Sequence, residues 1–163
     1  MKKILTLFLL ILIGCSEPEL LKTYYENGQL KSEGTSKDGE RVGPFKSYHE
    51  NGQLEWEYYF NTDGTRDGTQ KTKRWYENGQ LWYEGYVITI DEEVEWNGPY
   101  KSYYEDGQLK SEKTYKDGEL IELKIYYYYE NGQLKYEETW KDDLWNGPFK
   151  SYYENGQLKS EST

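Results

Sequence analysis

Few side chains in this sequence have the chemistry of a nucleophile, a general base or a transition-metal ligand. His49 is the single histidine and Cys15 is the single cysteine. A structural zinc site needs several Cys or His ligands, and an activated nucleophile needs a basic partner beside it. His49 also stands where tyrosine stands in five other copies of the same motif. We therefore predict a packing role for His49, and no catalytic centre, metal site or cofactor; an enzyme is not expected.

Carboxylates are the second group of candidates, because one glutamate recurs at the same place in six similar segments. A glycosidase needs a pair of carboxyl groups, one of which has its pKa raised by an apolar site. These glutamates instead flank segments with the composition of exposed turns, so we predict solvated charges. The six are Glu26, Glu50, Glu77, Glu105, Glu130 and Glu154.

Residues 61–68, with the sequence NTDGTRDG, are superficially similar to an acidic calcium-binding loop. They lack the regularly spaced ligands and the terminal bidentate glutamate of an EF-hand. We predict that they form a turn between two strands.

Aromatic residues make up 18% of the chain, with 19 tyrosines and six tryptophans. Trp56, Trp75, Trp82 and Trp140 could stack on sugar rings. Aliphatic residues are scarce after position 20, however, so the aromatic rings are also the only material for a core. Core packing is the preferred interpretation, and sugar stacking remains the alternative.

Six near-copies of one hexapeptide must position all of these side chains. The first copy is YENGQL at residues 25–30, and the glycines of successive copies lie 24, 27, 28, 25 and 24 residues apart. A repeat of this length is typical of an array in which each unit packs on its neighbours. The central dipeptides are Asn27-Gly28, Asn51-Gly52, Asn78-Gly79, Asp106-Gly107, Asn131-Gly132 and Asn155-Gly156.

An Asn-Gly step between alternating side chains predicts a β-hairpin, because a type I′ turn needs φ > 0 at both central residues. A two-residue turn at Asn51-Gly52 makes Phe45 pair with Tyr58. Alternation then gives one largely apolar face and one charged face. The first face carries Phe45, Ser47, His49, Leu54, Trp56 and Tyr58, and the second carries Lys46, Tyr48, Glu50, Gln53, Glu55 and Glu57.

The same register, applied to the other repeats, predicts cross-strand contacts between lysine and glutamate. Each such pair contributes tenths of a kcal/mol up to about 1 kcal/mol, so its main effect is on register. The predicted pairs are Lys22–Glu33, Lys46–Glu57, Lys73–Glu84, Lys101–Glu112 and Lys150–Glu161, with Tyr126 opposite Glu137 in the fifth repeat.

The linkers between the hairpins carry further turn signals. Asp-Gly steps occur at Asp38-Gly39, Asp63-Gly64 and Asp117-Gly118, and an Asp-Asp step occurs at Asp142-Asp143. Three linkers lead into Gly-Pro. Because proline has no N–H to donate, we predict Pro44, Pro99 and Pro148 at the first residue of the strand that follows.

The N-terminus has the pattern of an export signal. Lys2 and Lys3 precede an apolar run from 4 to 13 that is too short for a permanent membrane helix. The sequence LIGC at residues 12–15 resembles the bacterial lipobox, whose cysteine is lipidated. This resemblance implies a signal peptide at 1–14, a lipidated Cys15 with a tether at 15–20, and a location in the bacterial cell envelope. In a Gram-negative cell, the absence of Asp after the cysteine favours the outer membrane.

The charge of the chain limits the classes of partner. The net charge is −10, and without Lys2 and Lys3 the chain has 18 basic and 30 acidic residues, a charge of −12. An acidic surface repels phosphate backbones and anionic headgroups, so nucleic acid is not expected and the membrane is contacted through the lipid anchor alone. A basic protein partner would suit it.

Units such as YYENGQLKSE at residues 152–161 resemble the MORN variant repeat. The array is also similar to bacterial proteins of the YwqK antitoxin type, and the resemblance covers residues 21–163. It implies an all-β fold, an elongated single-layer antiparallel β-meander of six hairpins with about 12 strands, in line with the hairpin pattern. It further implies an antitoxin or immunity role, in which the array binds a cognate toxin.

We therefore predict a lipid-anchored protein-binding module. A cell-envelope glycan binder is the first alternative, since residues 75–82 (WYENGQLW) resemble the aromatic hairpins of wall- or choline-binding repeats. A structural scaffold that forms homo-oligomers through its sheet edges is the second.

Overall fold

The computed structural model describes residues 17–60, 68–90, 93–141, 144–145 and 147–162. In these ranges the chain forms one open sheet of twelve strands, each hydrogen-bonded to the next in sequence. The predicted antiparallel meander is confirmed. The strands are β1 Glu19–Tyr24, β2 Leu30–Lys37, β3 Glu40–Tyr48, β4 Leu54–Phe60, β5 Gly68–Trp75, β6 Leu81–Ile90, β7 Glu93–Tyr103, β8 Leu109–Lys116, β9 Glu119–Tyr128, β10 Leu134–Lys141, β11 Phe149–Tyr152 and β12 Leu158–Ser162.

The turn inside each repeat differs from the predicted type. In the second repeat the N–H of Gly52 donates to the carbonyl of His49 (2.9 Å), and the N–H of His49 donates to the carbonyl of Gln53 (2.8 Å). Gly52 has φ 84°, whereas Asn51 is not among the described residues with positive φ. This is a type I turn followed by a left-handed glycine in a G1 bulge, a three-residue loop. The predicted type I′ turn is therefore wrong at these steps.

Type I′ turns occur instead at two linkers between repeats. Asp38 and Gly39 both have positive φ (52° and 86°), and the flanking residues Lys37 and Glu40 pair directly. Asp117 and Gly118 have the same geometry, with φ of 50° and 80°. The other two predicted linker turns, at Asp63-Gly64 and Asp142-Asp143, lie outside the described residues.

A second bulge restores the register that the first bulge shifts. Tyr48 pairs with Leu54 and Ser47 pairs with Trp56, so Glu55 is an extra residue between them. Beyond this point the predicted pairing holds, including Phe45 with Tyr58. Two side chains change face as a result: Leu54 lies on the face of Tyr48, and Glu55 lies on the face of Phe45. The equivalent extra residues are Lys31, Trp82, Lys110, Lys135 and Lys159.

The prolines of the first two Gly-Pro steps lie inside strands and do not begin them, so that prediction is wrong. Pro44 is within β3 and pairs with Tyr59 on β4. On the β2 side the ladder is interrupted between Glu33 and Thr35, so the missing N–H of proline falls at a bulge. Pro99 lies within β7 beside a similar irregularity. Pro148 directly precedes β11.

The two faces of the sheet differ in chemistry. We call the face of Phe45, Trp56 and Tyr58 the aromatic face, and the face of Lys46 and Glu57 the charged face. The predicted ion pairs on the charged face are confirmed for Lys22–Glu33 (3.5 Å), Lys46–Glu57 (3.6 Å), Lys101–Glu112 (2.7 Å) and Lys150–Glu161 (3.3 Å). Lys73 is opposite Glu84, as predicted, but the ion pair of Glu84 is with Lys71 (2.8 Å). Tyr126 is opposite Glu137.

The core lies within the aromatic face. Among the described residues, the buried hydrophobic side chains are Phe45 and Phe60, with exposed fractions of 7% and 6%. The glycine at position 34 leaves the space that the Phe45 ring fills, because a Cβ there would overlap Phe45 Cδ2. A single-layer sheet has no second layer to bury its side chains, so much of the aromatic face remains partly exposed.

Candidate binding surface

The aromatic face contains two ring clusters. Phe45, Trp56, Tyr58 and Phe60 form the first cluster, with neighbouring ring centroids 5.0–6.4 Å apart. Tyr83, Trp96, Tyr100 and Tyr115 form the second, with centroids 4.8–6.2 Å apart. Rings at such distances stabilise one another beyond the area that they bury. The predicted packing of Trp56 is therefore observed, although this ring is still 39% exposed.

A slot of about 300 Å³ separates the two clusters, with Trp56 and Tyr58 on one side and Tyr83 and Trp96 on the other. Beside this slot the described ladder between β4 and β5 has two paired positions, Trp56 with Arg74 and Glu57 with Lys73.

Thr72 connects the two strands at this slot. The Nε1 of Trp56 donates to Thr72 Oγ1 (2.8 Å), and that hydroxyl donates to the carbonyl of Glu57 (3.3 Å). The Nε2 of Gln70 is buried at the slot without a hydrogen-bond partner in the described part of the chain. Aromatic walls with few polar groups are the usual composition of a binding site on a protein surface.

The tyrosine hydroxyls of this face are poor candidates for a catalytic base. Burial raises the pKa of Tyr100 to about 12. Burial also raises the pKa of Tyr83, against the opposing effect of the nearby Arg74 guanidinium. Both hydroxyls therefore stay protonated at neutral pH, and they can bind a ligand but cannot accept a proton from it.

Tyrosines in the repeat turns connect each repeat to the next one. The hydroxyls of Tyr25, Tyr76 and Tyr129 donate to the carbonyls of Tyr48, Tyr103 and Tyr152, at 2.6–2.9 Å. The Nε2 of His49 lies 3.0 Å from the carbonyl of Trp75 and makes the equivalent contact. His49 thus substitutes for tyrosine in a structural hydrogen bond, in agreement with the packing role predicted for it.

The asparagines of the repeat signature connect the turns in two ways. Asn51 Oδ1 accepts the backbone N–H of Gln53 (2.9 Å), and Asn51 Nδ2 donates to the carbonyl of Glu77 in the next turn (2.7 Å). The inward contact recurs in all six repeats, at 2.9–3.0 Å. The outward contact recurs at Asn78 and Asn131. Asp106 keeps the inward contact but has no amide for the outward one.

The predicted row of turn glutamates is exposed at every position, from Glu26 to Glu154. Three carboxyl groups elsewhere have lowered pKa values. The pKa of Glu33 falls because of a hydrogen bond from Tyr48, that of Glu84 because of a hydrogen bond from Lys71, and that of Glu112 because of hydrogen bonds from Lys101 and Tyr126. A glycosidase acid needs the opposite shift. Within the described residues, no group of His, Cys, Asp and Glu side chains could hold a metal ion.

Some of the predicted positions lie outside the described residues, and two of the predicted tryptophans lie outside the two ring clusters. Cys15 and residues 61–67 are not described. Trp82 is the extra residue of its hairpin and stacks on Tyr76 (5.5 Å), and Trp140 pairs across the sheet with Leu123. The lysines at the equivalent extra position lie over the turn tyrosines of their own repeats, at 5.4–5.7 Å. These cation–π contacts do not follow from the sequence pattern, because strict alternation places those lysines on the opposite face.

The comparison with family models agrees with this architecture. The family model described as MORN repeat variant matches residues 20–38, 41–62, 66–88, 96–117, 121–142 and 145–163. No curated protein matches the chain. A crystal structure of a protein of unknown function from Bacteroides fragilis is similar at 14% identity and covers 90% of this chain and 91% of its own, with a TM-score of 0.19 that is too low to indicate a common overall shape.

The matched segments coincide with the six hairpins, and together they span most of the chain. Repeats of this kind are generally modules that bind proteins or membranes. The described residues include no helix that is long and apolar enough to cross a membrane. The chain belongs to the MORN repeat variant family.

Proposed function

We propose that this chain is a lipid-anchored binding module whose aromatic face captures a basic protein partner. The observation that supports it most is the aromatic face itself, since two ring clusters and the slot between them stand open with no second layer in the described structure. Exposed aromatic patches of this kind mark interaction sites on soluble proteins. A net charge of −10 favours a partner of opposite sign.

The finer form of this proposal is an antitoxin or immunity role, in which the partner is a toxin that the module neutralises. The similarity of the array to the YwqK antitoxin type motivates it. The chemistry is compatible, because masking a basic surface requires shape and charge complementarity but no reaction.

Site-specific photo-crosslinking tests the binding surface. Val94 lies on the aromatic face at the slot and is 48% exposed, whereas Tyr59 lies on the charged face and is 46% exposed. We expect Val94→p-benzoylphenylalanine to crosslink one basic protein in intact cells, and Tyr59→p-benzoylphenylalanine not to do so. Equal crosslinking from both positions would contradict binding through the aromatic face.

The crosslinked protein then tests the antitoxin role. Expressed alone it should arrest growth, and co-expression of this chain should relieve the arrest. If the partner is harmless when expressed alone, the antitoxin role is wrong while the binding role stands.

Lipid attachment has a separate test. We expect Cys15→Ser to abolish labelling by an alkynyl fatty acid and to move the protein from the membrane to the soluble fraction. Labelling that persists in this variant would refute an anchor at Cys15.

A glycan-binding role is the second candidate, because the stacked rings of Tyr76 and Trp82 line a cleft of about 400 Å³ together with Trp75. Sedimentation with purified peptidoglycan separates the two functions. Retention that is lost in Trp82→Lys, the residue type of four other repeats, would favour the glycan role.

A further inference from the structure

The fifth repeat departs from the other repeats in its side chains and lines a large cavity together with the fourth repeat. A shallow bowl of about 610 Å³ opens between the fourth and fifth repeat turns. Its walls are five tyrosines, and three carboxylates line its outer margin. We call these the tyrosine bowl, formed by Tyr104, Tyr127, Tyr128, Tyr129 and Tyr136, and the acidic rim, formed by Glu105, Asp106 and Glu130.

Three tyrosine hydroxyls of the tyrosine bowl already donate their protons to groups of the protein, so the bowl offers a ligand mainly aromatic rings. The hydroxyls of Tyr128 and Tyr129 donate to the carbonyls of Leu109 and Tyr152, both at 2.8 Å. The hydroxyl of Tyr127 donates to Glu138 Oε1 (3.3 Å). A ligand in the bowl therefore meets ring carbons and oxygen lone pairs, which suit a cation with an apolar stem.

Three substitutions relative to the other repeats make this region more attractive to a cation. Asp106 carries a negative charge where the other five repeats carry asparagine. Tyr127 supplies a ring where three repeats carry serine, and Tyr126 is neutral where the other repeats carry lysine. The substitutions lie in different hairpins, on β9 and in the β7–β8 turn, yet two of them meet at the bowl. Departures from a repeat pattern that agree in their effect indicate function rather than drift.

The bowl retains a ring pair for a ligand. Lys110 and Lys135 lie over Tyr104 and Tyr129, at 5.4 and 5.5 Å, which demonstrates that these rings accept cations. Tyr127 and Tyr136 stack on each other with centroids 4.2 Å apart, and no lysine or arginine of the described residues lies over either ring. The residues that line the bowl include three carboxylates and one lysine, Lys135, and the ammonium group of Lys110 lies over the wall residue Tyr104, so carboxylates outnumber ammonium groups by three to two.

We propose that the tyrosine bowl binds an arginine side chain of the protein partner. A guanidinium group is planar, so it can stack on the Tyr127–Tyr136 pair while its N–H groups reach the carboxylates of the acidic rim. A neutral sugar lacks the charge that the acidic rim would bind, and an anion is repelled by it. This inference rests on the proposed function, because it names the chemistry by which the module recognises its partner.

The test is a titration of the full-length chain in neutral detergent micelles, followed by NMR of the backbone amides and tyrosine rings. The probe is N-acetyl-L-arginine amide, and the matched neutral probe is N-acetyl-L-citrulline amide, which has the same length and a planar urea group. We expect saturable shifts at Asp106–Gln108 and at Tyr127 and Tyr136 with the arginine probe. The citrulline probe should bind at least about five-fold more weakly, as expected for the loss of the charge.

Two variants that restore the repeat pattern test the residues without disturbing the fold. Asp106→Asn and Tyr127→Ser should each weaken the arginine probe about two- to five-fold, the usual range for an exposed ion pair or cation–π contact. The control is Asn27→Asp, which places the same charge in the turn of the first repeat, three repeats away from the tyrosine bowl. This control should leave the affinity at the bowl unchanged and create no second site.

Three results would overturn the inference: equal affinity for the two probes, shifts distributed evenly over all six turns, or unchanged affinity in both pattern-restoring variants. Such a failure is distinguishable from failure of the proposed function. Crosslinking through Val94 would still report a partner on the aromatic face, whereas its loss together with intact arginine binding would refute the module's role and leave the bowl as a site.

Discussion

The substitution Asp106→Asn should stabilise the protein, although it lies on the exposed edge of the sheet. In three other turns the asparagine amide donates to the carbonyl of the following turn, at 2.7 Å from Asn51, 2.8 Å from Asn78 and 3.1 Å from Asn131. Asp106 accepts the N–H of Gln108 (2.9 Å) but has no N–H to offer in return. The amide that the substitution introduces would meet the equivalent carbonyl, that of Glu130.

The expected gain follows from one neutral, solvent-exposed hydrogen bond. A net contribution of about 0.5–1.5 kcal/mol is usual, and exposure places this bond at the lower end, at about 0.5–1 kcal/mol. Removal of a carboxylate beside Glu105 and Glu130 adds a few tenths of a kcal/mol at low salt. With an m-value of about 2 kcal/mol/M, the hydrogen bond alone should raise the urea midpoint by about 0.3–0.5 M, and the removal of the carboxylate should add about 0.1–0.2 M at low salt.

Equilibrium urea unfolding, followed by tryptophan fluorescence, measures this shift. The mirror variant is Asn78→Asp, which keeps the contact to the N–H of Gln80 (2.9 Å) and loses the amide bond to the carbonyl of Glu105. Its midpoint should fall by a similar amount. If neither midpoint moves, or if both move in the same direction, the asparagine ladder does not couple the repeats and our reasoning on this edge is wrong.

Three further changes test the two faces. Phe45→Ala should lower the free energy of unfolding by about 3–5 kcal/mol, because it empties the buried centre of the first ring cluster, whereas Lys46→Ala on the opposite face should cost less than about 1 kcal/mol; urea unfolding of both variants checks this contrast. Gly85→Ala should lower the free energy of unfolding by about 1–3 kcal/mol in the same assay, because its Cβ would lie 2.9 Å from both Trp96 and Tyr100. An unchanged urea midpoint would mean that the rings of the second cluster can move aside at no cost in stability. The hydrogen bonds from Lys71 and Lys101 hold the pKa values of Glu84 and Glu112 below the ordinary 4.5. The stability that these carboxylates add is therefore present above that pH and is lost as the pH falls through their folded pKa values. Thermal unfolding across this pH range should show the loss, and in Glu112→Gln the melting temperature should depend less steeply on pH.

The strand order and most of the pairing follow from the sequence, because the repeat spacing and the alternation of side chains leave few alternatives. The turn type does not follow. Asn-Gly is favourable in a type I′ turn and also in a type I turn with a G1 bulge, and a single hairpin offers no reason to choose. Contacts between repeats favour the observed turn type, because in this turn the asparagine amide can reach the next repeat, as Asn51 reaches the carbonyl of Glu77.

A single hairpin also could not indicate on which face of the sheet the residue after the recurring leucine lies. A strict alternation places Lys110 on the charged face, whereas the second bulge brings it over Tyr104 on its own turn. Bulges break the period of two that sequence patterns depend on. The tyrosine bowl was missed for another reason. The predicted register already places Tyr127 opposite Tyr136, but the pairing alone does not indicate the cavity that these rings line together with the turns of two repeats.

Asp106 connects the stability of the array with its proposed recognition of arginine. If the residue served stability alone, asparagine would be the better choice, because it makes both contacts of the ladder. Proteins commonly retain a less stable residue where binding needs it. A single variant therefore separates the alternatives: Asp106→Asn should unfold at higher urea and bind the arginine probe more weakly. Higher stability with unchanged binding would mean that the aspartate is an incidental loss of one hydrogen bond.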